Sequence, residues 1–178
     1  MTTGFPVRRF ARIGAALAMC AAILGASSAF AQTRGGTLNL IVQPEPPLLM
    51  LGLNQQAPTQ YVAGKIYQSL LVYDARLDPQ PSLAKSWKVS PDGLTYTFEL
   101  QTGVKWHDGK PFGAADVVFS IDKFLREVHP RARVIINKYV DTVKAPNERT
   151  VEIRLREPFS PFLGMFVGDN MPIVPKHV

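Results

Sequence analysis

The sequence has 178 residues, of which 20 are lysine or arginine and 14 are aspartate or glutamate, for a formal net charge of +6. Three of the basic residues lie in the first 31 positions, and the 147 residues that follow carry a net charge of only +3. This ordinary surface charge argues against a nucleic-acid-binding stripe or a polybasic membrane patch. The single cysteine, Cys20, also lies in the first segment, so the remainder must fold without a disulfide.

Residues 1–31 have the three parts of a secretory signal peptide. A start with three arginines precedes an apolar run over residues 13–26, and an Ala-Phe-Ala cleavage pattern ends at Ala31. The run has fourteen residues, whereas crossing a bilayer takes about twenty, so we expect cleavage and export. Twin-arginine export and lipid attachment at Cys20 are weaker alternatives, because Phe10 follows the arginine pair directly and Met19 is a large residue.

The first segments after the signal peptide predict a strand, a loop and a helix. The branched apolar run 37–42 predicts a buried strand. Three prolines within residues 43–47 predict a stiff, extended loop leaving that strand. Apolar residues at helical spacing predict a helix over 59–70, followed by a short strand at 71–73 and a turn-rich loop over 74–81.

Two Asp-Gly turns, at 90–93 and 106–109, punctuate the next part of the chain. Between them Tyr96, Phe98 and Leu100 alternate with polar residues, a period of two that predicts a half-buried strand.

A helix is expected next, with one apolar face formed by Val117, Ile121, Phe124, Leu125 and Val128. Gly113 occupies its N-cap and Asp116 can reach back to the first amides, although glycine itself offers no side-chain acceptor.

The runs 139–144 and 150–155 predict an antiparallel hairpin that faces Val151, Ile153 and Leu155 inward. Ser160 and Pro161 predict a short helix to Phe166, and residues 172–175 an extended apolar end.

Several of these segments together resemble one family. Leu-Ala-Lys-Ser-Trp at 83–87, the Ser-Pro-Asp-Gly-Leu-Thr-Tyr-Thr-Phe run at 90–98, Gly-Val-Lys-Trp-His-Asp-Gly at 103–109 and Ala-Asp-Val-Val-Phe-Ser at 115–120 are similar to the extracytoplasmic solute-binding proteins of family 5. These are the peptide and nickel receptors of ABC importers. Flanking pieces, such as Ile-Val-Pro-Lys-His at 173–177, also fit.

The resemblance implies an α/β fold, the type II-like periplasmic binding protein fold, in truncated form. Residues 32–58 would begin the large α/β lobe, residues 59–157 would form a small β-rich domain, and residues 158–178 would return into the large lobe. Family members run to several hundred residues and close two lobes over the ligand. We therefore expect Val178 to mark a truncated product, a fragment or an incomplete gene model.

The candidate ligand-binding residues are Gln43, Glu45 and Trp106. Ligands of open α/β domains bind outside the carboxyl ends of strands, where the loop 43–47 is expected, and Glu45 could meet a peptide's amino group there. A solvated loop acid is the more ordinary interpretation of Glu45. Trp106 could offer a flat apolar surface, although a structural aromatic is more typical.

Metal and enzyme chemistry have little support in the sequence. His107 beside Asp108 is more typical of a hydrogen-bonded turn than of a metal ligand, and neither His129 nor His177 has zinc-like spacing to it. The segment after residue 31 has no cysteine, no Gly-x-Ser-x-Gly and no glycine-rich phosphate loop. We therefore expect no catalytic residue, metal or cofactor.

By this resemblance we expect the periplasmic solute-binding component of an ABC transporter, which captures a peptide or other small solute. Its partner would be an ABC permease in the inner membrane; we expect a monomer and no nucleic acid. The alternative is a stand-alone exported interaction module that has lost transport, and a periplasmic hydrolase is the least supported hypothesis. The solute, whether peptide, nickel complex, opine or sugar, stays open.

Overall fold

The computed structural model describes residues 35–178, and residues 41–178 form one compact unit. The predicted signal peptide lies outside the described residues. None of the helices within residues 35–178 combines the length and the apolar character that crossing a bilayer requires.

An antiparallel four-stranded sheet forms the centre of the unit, in the order β3-β4-β6-β5. Its strands are β3 (Ala84–Val89), β4 (Thr95–Leu100), β5 (Val140–Asn147) and β6 (Thr150–Leu155), while β1 (Leu71–Tyr73) and β2 (Pro79–Pro81) pair separately. The predicted alternation on β4 is confirmed, since Tyr96, Phe98 and Leu100 are all buried. The predicted hairpin is confirmed too, with Val151 and Ile153 fully buried on β6.

Helices precede, interrupt and follow this sheet along the chain. They are α1 (Ala57–Ala63), α2 (Ala114–Val118), a π-helical segment (Phe119–Leu125), α3 (Arg126–Val128), α4 (Ala132–Tyr139) and a 3₁₀ helix (Ser160–Met165). The helix expected after Gly113 is confirmed as α2, the π-helical segment and α3 in succession. Its apolar face buries Val117, Ile121 and Leu125 completely, whereas Val128 at the end is exposed.

Aromatic side chains pack the 3₁₀ helix against β4. Phe162 contacts Tyr96 with ring centroids 4.9 Å apart, and Phe166 contacts Phe98 at 4.8 Å. Phe98, Phe162 and Phe166 are fully buried, and burying one such side chain stabilises the fold by about 1.5–3 kcal/mol. The expected short helix is confirmed, but Phe159 rather than Ser160 holds the N-cap position, without a side-chain cap.

The predicted strand at 37–42 is wrong for the described chain. Residues 35–42 have no regular secondary structure, and Leu38 and Ile41 are 86% and 85% exposed. A strand needs a neighbour to accept and donate its ladder hydrogen bonds, and no strand within residues 35–178 pairs with this run. The helix expected over 59–70 is also shorter in the structure, where α1 spans Ala57–Ala63 and Gly64 is its C-cap residue.

Candidate functional site

A tight loop carries Trp106, one of the predicted ligand residues. Lys105 and Pro111 form an antiparallel bridge across the loop, and the Lys110 amide donates to Asp108 Oδ1 at 3.1 Å. Gly109 turns the chain at φ +85°, in the left-handed region that glycine adopts without a Cβ penalty. The expected hydrogen-bonded Asp-Gly turn is therefore confirmed.

Asp116 fixes the indole of Trp106 and joins it to two other segments. Its Oδ2 accepts from Trp106 Nε1 at 3.2 Å and from the Gly113 amide at 3.0 Å, while its Oδ1 accepts from the Lys176 amide at 2.9 Å. The side chain is buried, with the residue 7% exposed. The predicted one-sided cap of α2, with an acid but no N-cap side chain, is confirmed.

The carboxyl-terminal segment 173–177 lies alongside α2 and the π-helical segment that follows it. The Val174 amide donates to Ser120 Oγ at 2.9 Å, and His177 Nε2 lies 2.7 Å from Asp108 Oδ2. The backbone amide of Lys110, followed by the His177 side chain, lowers the pKa of the Asp108 carboxyl. Asp108 therefore stays ionised through neutral pH and can pair with His177 whenever that imidazole is protonated.

A cavity of about 290 Å³ lies between the loop, this segment and the chain before β1. Three aromatic residues line it, Tyr67, Trp106 and Phe112, and Asp108 and His177 also contribute to its wall. Trp106 and Phe112 meet edge to face, with centroids 5.8 Å apart. An apolar wall with a few polar groups is typical of small-molecule sites, so the cavity can hold a small apolar group beside a carboxylate.

The other two predicted ligand residues lie elsewhere. Gln43 and Glu45 are exposed in the irregular stretch that follows residue 42. The residues that line the cavity include Trp106 but neither Gln43 nor Glu45. The structure thus does not bring the three candidates together around this cavity, and their contact with a ligand stays a prediction.

The histidines are placed differently from one another. His107 is exposed on the loop, His177 pairs with Asp108, and His129 is fully buried at the end of α3. Among residues 35–178, no group of three or more histidine, cysteine, aspartate or glutamate side chains is arranged to hold a metal ion.

Sequence reasoning missed the contact between Asp108 and His177. The two residues are 69 positions apart, and no local pattern connects residues at that distance. The only available signal was that each lies in a segment quoted above for the family resemblance. Recognising the pair required the path of the chain between β6 and residue 178.

Comparison with known proteins places the chain in a family. A glutathione-binding protein of Pectobacterium atrosepticum is 39% identical over 105 residues, which cover 59% of this chain and 20% of that protein. A dipeptide-binding protein of Escherichia coli is 38% identical over 113 residues, covering 54% of this chain and 21% of that protein. The chain thus spans about a fifth of the length of these binding proteins.

A solved structure agrees with this relationship. The periplasmic oligopeptide-binding protein of Borrelia burgdorferi superposes with a TM-score of 0.66 at 29% identity, over 75% of this chain and 30% of that one. The fold is therefore a mixed α/β portion of the periplasmic binding protein fold. Residues 78–177 match the family described as bacterial extracellular solute-binding proteins, family 5 middle. The chain belongs to the family 5 bacterial extracellular solute-binding proteins.

Proposed function

We propose that this chain supplies part of the periplasmic solute-binding component of an ABC importer. The component would capture a peptide or related solute and deliver it, chemically unchanged, to a permease in the inner membrane. The observation that carries the proposal is the family 5 match over residues 78–177, together with relatives named for glutathione and dipeptide binding.

The proposed domain organisation follows the chain path. Residues 59–157 would form the small domain, and they contain the whole four-stranded sheet and the helices 114–128 and 132–139. Residues 32–58 and 158–178 would belong to the large lobe and would meet the small domain at two crossings. Binding in such proteins closes lobes about a hinge formed by a few crossing residues.

The proposed ligand contacts divide between two places. Glu45, exposed on its loop, would accept hydrogen bonds from a peptide's ammonium group. Trp106, held by Asp116, would present its ring to an apolar part of the solute in the cavity.

A chimera tests the proposed function. Residues 32–178 would replace the amino-terminal part of the Escherichia coli dipeptide-binding protein up to the end of the matched segment. We expect calorimetric titration with a dipeptide to give a Kd within about tenfold of the unmodified protein, equivalent to about 1.4 kcal/mol. A folded chimera that fails to bind any di- to pentapeptide would contradict the proposal.

The same chimera tests the assignment of Glu45. Glu45→Gln should weaken dipeptide binding by about tenfold or more, because a hydrogen bond to a charged group contributes about 1.5–3 kcal/mol. Glu127→Gln, at an exposed acid on α3, is the matched control and should leave the Kd unchanged. Equal Kd values for both variants would remove Glu45 from the site without affecting the proposed function.

One observation favours the second candidate, a stand-alone exported interaction module. Residues 41–178 form a compact unit with a hydrophobic core of their own. A cooperative, ligand-free melt of this chain, combined with a chimera that folds but does not bind peptides, would favour the module over the receptor.

Export is part of both candidates. We infer that cleavage follows Ala31, so protein recovered from the periplasm should begin at Gln32. Intact-mass measurement of that protein checks the cleavage site, and a mass matching the whole 178-residue chain would contradict it.

A further inference from the structure

His129 is fully buried between three segments of the chain. Its Nδ1 accepts hydrogen bonds from the backbone amides of Arg131, at 3.2 Å, and Ala132, at 2.9 Å. Two donors pointing at Nδ1 require a lone pair on that nitrogen, so the ring is the neutral tautomer with its proton on Nε2. In this form one acceptor, His129 Nδ1, serves both amides at the start of α4. The N-cap residue of that helix, Arg131, makes no side-chain cap of its own.

The opposite side of the ring reaches the other two segments. His129 Nε2 lies 3.2 Å from the carbonyl oxygen of Asp169, to which Gln55 Nε2 also donates, at 2.8 Å. Gln55 Nε2 donates in addition to the Leu51 carbonyl at 2.7 Å. The Asp169 carbonyl oxygen thus accepts hydrogen bonds both from the segment before α1 and from the end of α3.

These three segments are the ones that a hinge would involve. In the proposed domain organisation, Gln55 lies before the first crossing, Asp169 after the second, and His129 in the small domain between them. We propose that His129 is a pH-dependent clasp: while neutral it joins the start of α4 to the Asp169 carbonyl beyond the second crossing, and its protonation releases the start of α4 from the ring. This inference rests on the proposed function, because the lobes and crossings belong to it.

Geometry explains the release. Protonation adds a hydrogen to Nδ1, so that both ring nitrogens carry an N–H. The new N–H faces the amides of Arg131 and Ala132, and three donors then meet without an acceptor. The imidazolium would also be buried, and burial of an unpaired charge is strongly unfavourable. The charged side chains that face the ring are Asp169 on the turn after the 3₁₀ helix and Arg131 beside it, whereas the segment before α1 contributes the neutral Gln55.

Desolvation by burial lowers the pKa of His129, an effect that the Asp169 carbonyl opposes only in part. A histidine in the unfolded chain titrates near 6.5. Since the folded pKa is below the unfolded one, the stabilisation is complete above about pH 6.5. It is lost as the pH falls from there toward the folded pKa, by up to tenfold in the folding equilibrium for each pH unit.

Other groups can be separated from this effect. The pKa values of Asp74, Asp92 and Asp108 are lowered, chiefly by hydrogen bonds, so these carboxyls titrate below the ordinary value of about 3.9 and outside the window from pH 5.5 to 7.5. The sequence has three histidines, and the other two, His107 and His177, are exposed. A variant carrying His107→Asn and His177→Asn therefore keeps His129 as its only histidine.

The test compares the folding equilibrium of the full chain by urea unfolding at pH 7.5 and 5.5. We expect the double variant, in which His129 is the only histidine, to lose about threefold to tenfold in folding equilibrium constant at the lower pH. Adding His129→Asn keeps an acceptor near the amides of 131 and 132 but removes the titrating group, so the triple variant should lose little. A triple variant with the same pH dependence as the double variant would overturn the proposal.

A second measurement does not depend on whether the triple variant folds. In the double variant, NMR titration of the His129 ring should give a midpoint below 6.5, with lower hydrogen-exchange protection factors at the Arg131 and Ala132 amides once the ring is protonated. A midpoint at or above 6.5, or unchanged protection factors, would overturn the clasp. Neither experiment uses a ligand, so a failed clasp leaves the proposed function standing, and a chimera that binds no peptide leaves the pH result standing.

Discussion

Asp116 contacts the Trp106 loop, the start of α2 and the carboxyl-terminal segment at once. One carboxylate accepts from Trp106 Nε1, the Gly113 amide and the Lys176 amide. Gly113 has no side chain to cap the helix, so the acid contributes the only side-chain acceptor at that helix start. Removing the carboxylate leaves three donors without this acceptor.

Asp116→Ala should therefore lower the free energy of unfolding by about 1–3 kcal/mol, the cost of leaving partly buried donors unsatisfied. The measurement is urea denaturation of the full chain. Asp122→Ala is the matched control, because Asp122 lies on the same run of helix and makes only partly exposed ion pairs with Arg126 and Lys123, which contribute about 0–1 kcal/mol. Equal losses for the two variants would contradict the role given to Asp116.

At this scale the sequence predicted one of the three side-chain hydrogen bonds of Asp116. Its cap on Gly113 spans three residues and follows from helix geometry alone. Its bonds to Trp106 and Lys176 span 10 and 60 residues, so they depend on tertiary packing that no local pattern encodes. For the same reason, the buried state of His129 and its link to Asp169 could not be predicted from spacing.

Among the secondary-structure elements, the segment before α1 and the π-helical segment meet at a close contact. Phe124 on the π-helical segment lies against the backbone of Gly52, and a Cβ built on Gly52 would overlap the Phe124 ring. Glycine is needed here for space, since its backbone conformation is one that other residues adopt. The contact holds the segment that carries Leu51 and Gln55 against the helix.

Gly52→Ala should destabilise the protein by about 1–3 kcal/mol, because the added methyl group overpacks a filled contact. Gly164→Ala on the 3₁₀ helix has open space around its Cβ and should stay within about 0.5 kcal/mol of the wild type. Adding Phe124→Leu to Gly52→Ala should recover part of the loss, as expected for contacting residues. Thermal and urea unfolding measure all three, and equal stability of the two alanine variants would contradict the account.

Element prediction succeeded where the pattern was strong and the partners were local. The alternation on β4, the hairpin of β5 and β6 and the apolar face over 117–125 each follow from residues close in sequence. The helix α4 was missed, because its Val134, Ile135 and Ile136 are β-branched and favour strands. His129 supplies the missing stabilisation at its start, a contribution that sequence spacing does not reveal.

For the whole molecule, family membership rests on a run of about a hundred residues rather than on a catalytic or metal-binding motif. The match covers 78–177 and includes the sheet, the Trp106 loop and the carboxyl-terminal segment. The strand expected at 37–42 failed at this scale, since a strand forms only with partners and none within the described chain pairs with it. The assignment of Gln43, Glu45 and Trp106 to a ligand site stays a prediction, because the proposed site would be completed by residues outside this chain.

Growth rescue tests the central claim, that this chain forms part of a working solute-binding component, most directly. The chimera would be expressed in Escherichia coli cells that lack their own dipeptide-binding protein and require an amino acid supplied only as a dipeptide. We predict growth at a rate comparable to cells with the unmodified protein, and no growth when the replaced segment is left out. Absence of growth with a chimera that is folded, exported and abundant in the periplasm would contradict the account.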